Sequence, residues 1–405
     1  MINRKSTIRQ AGSVAATWLL STTWAFAADN TVDPKVEVGA TYNSNLRLQP
    51  SAIHDDVAGG YVDALAAFGT QTQRTQFTLT PRVRATKYTD NQDEETTDWF
   101  VNSVLAHRAE RSRYGLEADF SNQDVVTTEL LSPTGGSLGT PGSGDGGIAL
   151  SKNKASRIYA SPSAAFTTGE RSELQLSGVY SQIDYDRQVL GSQIDYSNAV
   201  GSLGWSLRTS QRLRVLAAAD VTQFSPDNTG SEKSNTYGLR FETWHEQTER
   251  LSAYLRLGAI RSDVNSGSAA GRNTAQTTAI FGLGLARRLA VGQLLLQANR
   301  SVDANGTGQL LERTEAYLEW THSLSPRTQF RLGTRAVWAA AIDNTAGYAD
   351  QRYYVASAGL EWRLGRTISL TSRYDYTGQH ISGAAEDPTS NAGYLGLVFE
   401  PHRRN

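Results

Sequence analysis

The chain has 405 residues, 39 basic and 40 acidic side chains, a formal net charge of −1 and no cysteine. The absence of cysteine excludes disulfides and thiolate chemistry. The balanced charge gives no electrostatic footprint for nucleic acid, so no nucleic-acid partner is predicted.

The first 27 residues predict a cleaved export signal. Arg4, Lys5 and Arg9 precede a mostly apolar run that ends at Ala25-Phe26-Ala27, the small-x-small pattern that signal peptidase cleaves. Downstream, no segment reaches the roughly 18 apolar residues that a membrane helix needs. We therefore expect residues 1–27 to be removed. Residues 28–405 are expected to form one domain beyond the inner membrane, because no Pro-rich or charged linker divides them.

Strict alternation of apolar and polar residues predicts β-strands from residue 74 onward. Apolar residues occupy every second position from Phe77 to Ala85, while the positions between them carry threonine and arginine. Successive side chains of a strand point to opposite faces, so one face is apolar and the other polar. The same pattern recurs in 213–222, 329–338 and 360–364, whereas helical spacing is absent over any comparable length.

The connections alternate in length, which distinguishes a membrane barrel from a soluble β-sandwich. Eight short connections are predicted near 69–73, 110–112, 169–171, 210–212, 248–250, 290–292, 325–327 and 365–366. Nine longer ones are predicted near 44–56, 90–97, 127–153, 187–193, 225–233, 263–273, 303–308, 342–350 and 378–391. Together they predict an all-β fold, a single antiparallel transmembrane β-barrel of about 18 strands with short periplasmic turns and longer extracellular loops. A secreted solenoid or propeller is the alternative, but no per-coil or per-blade motif is present.

Aromatic residues near the strand ends are typical of the girdle that outer-membrane barrels place at the lipid boundary. The predicted girdle residues are Tyr42, Trp99, Tyr180, Trp205, Trp244, Trp320, Trp338 and Trp362.

The polar face of the strands is predicted to line a water-filled lumen, because a barrel of this size is too wide for side chains to fill. The candidate lumen-lining residues are Arg82, Arg84, Glu117, Asp119, Arg214, Asp220, Arg240, Glu242, Arg256, Glu319, Arg331, Arg335, Glu361, Arg363, Arg373 and Asp375. Two interpretations stay open: the charges hydrate the wall and pair with their neighbours, or they form a ladder for a ligand.

The connection at 127–154 is the third on the long-loop side and is far longer than the others. Its glycine content allows tight folding, and Leu130 and Leu131 give it an apolar patch. It is the predicted constriction of the lumen if it folds inward, and a surface loop if it does not.

No enzyme is predicted. The six histidines show no metal-ligand spacing and no G-x-S-x-G occurs, so neither a metal site nor a serine hydrolase is indicated. A rim site at His54, Asp55 and Asp56 would need partners from other loops. No cofactor is expected.

The hairpin with Tyr42-Asn43-Ser44-Asn45 and the basic strand ending in Lys87-Tyr88-Thr89-Asp90 resemble a known family. It is the β-barrel porin family of outer-membrane proteins found with exopolysaccharide synthesis loci and PEP-CTERM sorting systems. The likeness is strongest over residues 36–126. Two departures are Ser44, where the family often has aspartate, and the tail that follows Phe399.

The resemblance implies an outer-membrane conduit for exopolysaccharide. The implied partners are outer-membrane lipid, the barrel-assembly machinery, secreted polysaccharide and periplasmic export components. The alternatives are a general porin for small solutes and a structural or adhesive surface barrel without a conducting pore.

Overall fold

The computed structural model describes residues 28–51, 56–89, 95–126, 153–187, 193–227, 233–265, 274–304, 309–342 and 350–401. The predicted signal peptide and residues 127–152 of the predicted third loop lie outside these ranges. Within them, no helix is long and apolar enough to cross a membrane.

Eighteen strands make up the fold. In chain order they are β1 (Asp29–Asn43), β2 (Val57–Gln71), β3 (Thr75–Tyr88), β4 (Thr96–Arg108), β5 (Ser112–Asp124), β6 (Lys154–Thr167), β7 (Ser172–Tyr185), β8 (Tyr196–Arg208), β9 (Leu213–Pro226), β10 (Lys233–Thr248), β11 (Leu251–Asn265), β12 (Thr274–Leu289), β13 (Gly292–Ala304), β14 (Leu310–Ser325), β15 (Thr328–Ala341), β16 (Gln351–Arg363), β17 (Ile368–Ile381) and β18 (Thr389–Phe399). Each pairs antiparallel with its neighbours in sequence, in one sheet.

The sheet closes on itself through β1 and β18. Val36 lies opposite Phe399 in the register of this pair, and Asn43 lies opposite Ala392. Closure leaves no strand edge with unpaired N–H and C=O groups, which cost several kcal/mol each in hydrocarbon. The predicted fold class, an antiparallel barrel of 18 strands, is confirmed.

The connections alternate in length as predicted. At one end of the barrel the connections span two to four residues, as in 72–74, 249–250 and 290–291. At the other end they are longer, and the shortest is 305–309 and the longest 125–153. Hydroxyl side chains close several short turns. Thr72 accepts a hydrogen bond from the backbone N–H of Thr75 at 2.9 Å, and Ser210 accepts one from Leu213 at 3.0 Å.

The outer face of the barrel is apolar. Leu239 is 69% exposed, Trp99 54% and Val221 53%, and on β9 and β10 such residues alternate with Asp220, Arg240 and Glu242. A soluble protein buries side chains of this kind, so this face is suited to lipid.

One predicted girdle residue is placed wrongly by the sequence analysis. Trp244 lies on the inner face, opposite Tyr254 of β11 and beneath the guanidinium of Arg214, which is 4.1 Å from its ring centre. The reason is parity, because Trp244 is two residues from Glu242 and four from Arg240 and must share their face.

Candidate channel wall and mouth

All sixteen predicted lumen-lining residues lie on the strand face opposite the exposed apolar residues. On β9 and β10, for example, Asp220 and Arg240 alternate with Val221, Leu239 and Phe241, all three of which are exposed. The period of two in a strand requires this arrangement once one face is assigned to lipid. That these residues line a conducting lumen stays a prediction.

A cluster of four ionic residues crosses β9, β10 and β11. The Arg240 guanidinium contacts Asp220 and also Glu242, with Nε 2.8 Å from Oε1 of the latter. Arg256 Nε donates to the same Glu242 oxygen at 2.9 Å, and Ser202 of β8 donates to Asp220. Both carboxylates of the cluster therefore face arginine within hydrogen-bonding distance.

A second cluster lies on β14 and β15, where Glu315 is held between two arginines. Its Oε2 accepts a hydrogen bond from Arg335 Nη2 at 2.9 Å and lies 3.4 Å from Arg313 Nη2. Arg335 is 1% exposed and Glu315 is 4% exposed, so the pair is removed from water. Charges in such surroundings need good partners, because their desolvation costs several kcal/mol each.

A third group lies near the seam where the sheet closes. Arg82 Nε donates to Asp63 Oδ1 at 2.8 Å, and Arg373 Nε lies 3.1 Å from Asp375 Oδ2. Glu37, which the sequence analysis did not select, accepts a hydrogen bond from the Tyr61 hydroxyl at 2.7 Å.

Inward aromatic rings, also missed by the sequence analysis, support many of these arginines. The guanidinium carbons lie 4.1 to 5.5 Å from the centres of their rings, within the range of a cation–π contact. The pairs are Arg82 with Phe100, Arg84 with Tyr61, Arg214 with Trp244, Arg256 with Tyr254 and Arg373 with Tyr394. Their inward position could have been read from the sequence, because alternate residues of a strand point to the same face.

The remaining predicted residues are not brought into these ion pairs. Asp119 accepts a hydrogen bond from the side-chain amide of Asn102 at 2.6 Å, and Glu319 accepts one from Tyr317. Glu117 on β5, Arg331 on β15 and Arg363 on β16 are exposed, and Glu361 of β16 lies opposite Gln329 in the register. The wall thus combines paired charges with charges open to solvent.

The mouth at the long-loop end holds a segment of the first loop. Leu48 is 1% exposed and packs with Val337 of β15 and with Tyr353 and Val355 of β16, all on the inner face. On the other side, Arg47 contacts Asp124 at the end of β5, with nitrogen–oxygen distances of 3.4 and 3.5 Å. Arg47 and Leu48 of the first loop therefore lie inside the wall.

A second apolar cluster lines the mouth at the ends of β5 to β9. Ile183, Tyr196 and Phe224 are almost fully buried there, and Val125 packs with them immediately after β5 ends. Apolar packing thus covers part of the inner face at this mouth.

Within the described ranges, no group of three or more histidine, aspartate or glutamate side chains could hold a metal ion. His54 and Asp55, two residues of the rim site considered in the sequence analysis, lie outside those ranges. His380 is hydrogen-bonded to Asp387 at 2.6 Å, and both side chains are solvent-exposed.

No protein-family model and no curated protein matches the sequence. Solved structures with a similar barrel include Pseudomonas aeruginosa OpdQ, with 9% identity, 92% of this chain and 97% of that chain covered, and a TM-score of 0.46. P. aeruginosa OccK2 (OpdF) in complex with glucuronate has 11% identity, coverage of 92% and 98%, and a TM-score of 0.48. The outer membrane protein OpdK from the same organism has 9% identity, coverage of 91% and 98%, and a TM-score of 0.44. At these values none of the three supports a statement about substrate.

The barrel's own features decide its class. It has an even number of antiparallel strands, an apolar outer face, a charged inner face, and short connections at one end with longer ones at the other. Together these features are those of bacterial outer-membrane barrels. The chain is an outer-membrane β-barrel with the architecture of a porin.

Proposed function

We propose that the chain is a passive outer-membrane channel for small polar solutes. The observation that carries this proposal is the inner wall, where paired arginines and carboxylates lie on the inner face of a closed barrel of eighteen strands. A barrel of this size is too wide for its wall residues to fill, and a charged wall favours water.

The mouth favours small solutes over a polymer. Arg47 and Leu48 of the first loop lie inside the wall at the long-loop end, and they reduce the cross-section that a passing molecule would use. The resemblance to barrels of exopolysaccharide loci implies polymer export, but no contact or comparison supports that finer assignment. The small-solute alternative agrees better with a partly occupied mouth.

The pairing of charges on the wall favours weak charge selectivity. Arg240 and Arg256, for instance, contact Asp220 and Glu242, so the fields of these two positive and two negative side chains largely cancel at a distance. Salt at physiological strength screens the remainder within about 8 Å. We therefore expect uncharged polar solutes to pass as readily as anions or cations of the same size.

Purified protein in planar bilayers and in liposomes tests the proposal. We expect stable ion conductance, a reversal potential close to zero in a salt gradient, and liposome swelling with a monosaccharide but little swelling with a large dextran. Comparable passage of the dextran would favour the polysaccharide conduit. A correctly assembled protein that gives neither conductance nor swelling would favour the structural or adhesive barrel.

A further inference from the structure

The Tyr42-Asn43-Ser44-Asn45 motif builds a folded loop at the barrel seam. Asn43 Oδ1 accepts hydrogen bonds from the backbone N–H of Asn45 at 2.8 Å and from the Ser390 hydroxyl at 2.7 Å. Ser44 is held to β18 twice, since its backbone N–H donates to Asn391 O and its hydroxyl accepts from Asn391 N, both at 2.9 Å. The motif therefore fixes the point where the chain leaves the wall.

Asn45 then folds the next residues into a turn. Its side-chain amide donates to the carbonyl of Gln49 at 2.8 Å, and its side-chain oxygen accepts from the Gln49 N–H at 2.9 Å. The backbone N–H of Leu48 also donates to Asn45 O at 3.3 Å. Asn45 is 4% exposed, so these bonds are shielded from water.

The turn imposes an unfavourable backbone on Leu48. Its φ is +53°, and it is the one non-glycine residue with positive φ in the part of the chain that the structure describes. The left-handed conformation costs an ordinary residue about 1–2 kcal/mol. It persists when surrounding contacts favour it, and here Leu48 is buried against Val337, Tyr353 and Val355.

Arg47 reaches the opposite side of the seam. Its guanidinium contacts both carboxylate oxygens of Asp124, with side chains that are 5% and 3% exposed. The backbone N–H of Asp124 donates to Asp98 Oδ1 at 2.8 Å, which ties this anchor to β4. The short turn at residues 45–49, which follows β1, is thus attached to β15 and β16 on one side and to β4 and β5 on the other.

From this geometry we infer that the segment Asn45–Gln49 is the size-limiting constriction of the channel, and that Asn45 and Arg47 are the residues that position it. The inference deepens the proposed function and rests on it. It assigns to the first loop the role that length alone predicted for the third loop, whose residues 127–152 lie outside the described ranges. The segment would then set the largest size of uncharged sugar that can pass through the channel.

Solute-size series in liposomes test the inference. Asn45→Ala removes both side-chain bonds to Gln49, Arg47→Ala removes the anchor on Asp124, and Pro50→Ala is the matched control because Pro50 is exposed in the same loop. We expect the ratio of trisaccharide to monosaccharide swelling rates and the single-channel conductance to rise in the first two variants. The control should match the unmodified protein.

A chemical block gives a second readout that leaves the loop's hydrogen bonds in place. The chain lacks cysteine, so Leu46→Cys would be the one thiol available to a bulky reagent. We expect labelling to lower conductance at this position, whereas labelling of Ala385→Cys on the exposed last loop should not. Should Asn45→Ala fail to assemble, Leu48→Gly offers the same contrast, because glycine tolerates positive φ and removes only the packing.

The outcomes separate the two proposals. If the unmodified protein conducts but neither the loop variants nor the thiol adduct change conductance or the sugar ratio, the first loop is not the constriction and the channel proposal stands. If the unmodified, assembled protein does not conduct, the channel proposal itself is wrong.

Discussion

The Tyr61 hydroxyl donates a hydrogen bond to Glu37 Oε1 at 2.7 Å, across the pair formed by β2 and β1. The Tyr61 ring lies over Gly39 and Gly396, since a Cβ at Gly39 would be 2.8 Å from the ring and one at Gly396 2.7 Å from its oxygen. Thr371 of β17 donates to the same Glu37 oxygen at 3.2 Å. The strands on both sides of the closing seam are therefore joined through one inward tyrosine and two glycines.

Replacing Gly39 by alanine should destabilise the barrel. The added Cβ would lie 2.3 Å from the backbone oxygen of Leu395 as well as against Tyr61, so the seam must shift. Overpacking of this kind costs about 1–3 kcal/mol. Urea unfolding of the protein in lipid or detergent measures the change, with Gly393→Ala on β18 as the control because nothing lies within 4 Å of that position. Equal stability of the two variants would contradict the seam's close packing.

Replacing Glu315 by leucine should cost more than any substitution of an exposed wall charge. It would leave Arg335 and Arg313 facing each other without the carboxylate that both contact. Removing one partner of a buried ion pair costs about 3–5 kcal/mol. The same unfolding assay measures it, and Glu117→Leu, at an exposed position of the inner face, should change stability little. A loss as large at Glu117 would mean that exposure does not distinguish these sites.

Leu239→Arg should impair insertion, because Leu239 is 69% exposed near the middle of β10 on the outer face. An arginine at the bilayer midplane costs about 2–4 kcal/mol and less near the interfaces. Folding into vesicles, followed by the shift in gel mobility on heating, measures the yield of assembled barrel. Leu239→Ala and the inward Arg331→Leu should both assemble normally. If Arg331→Leu is as damaging as Leu239→Arg, the assignment of faces is wrong.

Single cysteines should report the orientation of the barrel. Ala385 lies in the connection between β17 and β18 and is exposed, whereas Val291 lies in the two-residue turn between β12 and β13 and is 49% exposed. With the short turns in the periplasm, a membrane-impermeant thiol reagent should label Ala385→Cys on intact cells and Val291→Cys only after lysis. Labelling in the reverse order would place the long loops in the periplasm.

The strand count, the two faces of the wall and the class of fold could all be predicted from the sequence. They depend on a period of two and on the lengths of connections, which are local properties of the chain. Trp244 shows that the same rule, applied to every residue, also assigns the aromatic positions, because its parity with Arg240 and Glu242 places it inward.

Which wall residues become partners could not be predicted, because that depends on register across strands and on closure of the sheet. Glu315 meets Arg335 because β14 and β15 pair with Tyr317 opposite Arg335, which no local pattern specifies. The inward position of Arg47 and Leu48 was not predicted, because loop length drew attention only to the segment 127–154, most of which lies outside the described residues. Leu48 contacts Val337 and Val355, which come from the other end of the chain and reach it only when β18 pairs with β1. Periodicity along the chain therefore determined the faces of this barrel, whereas closure of the barrel decided which residues meet at its mouth.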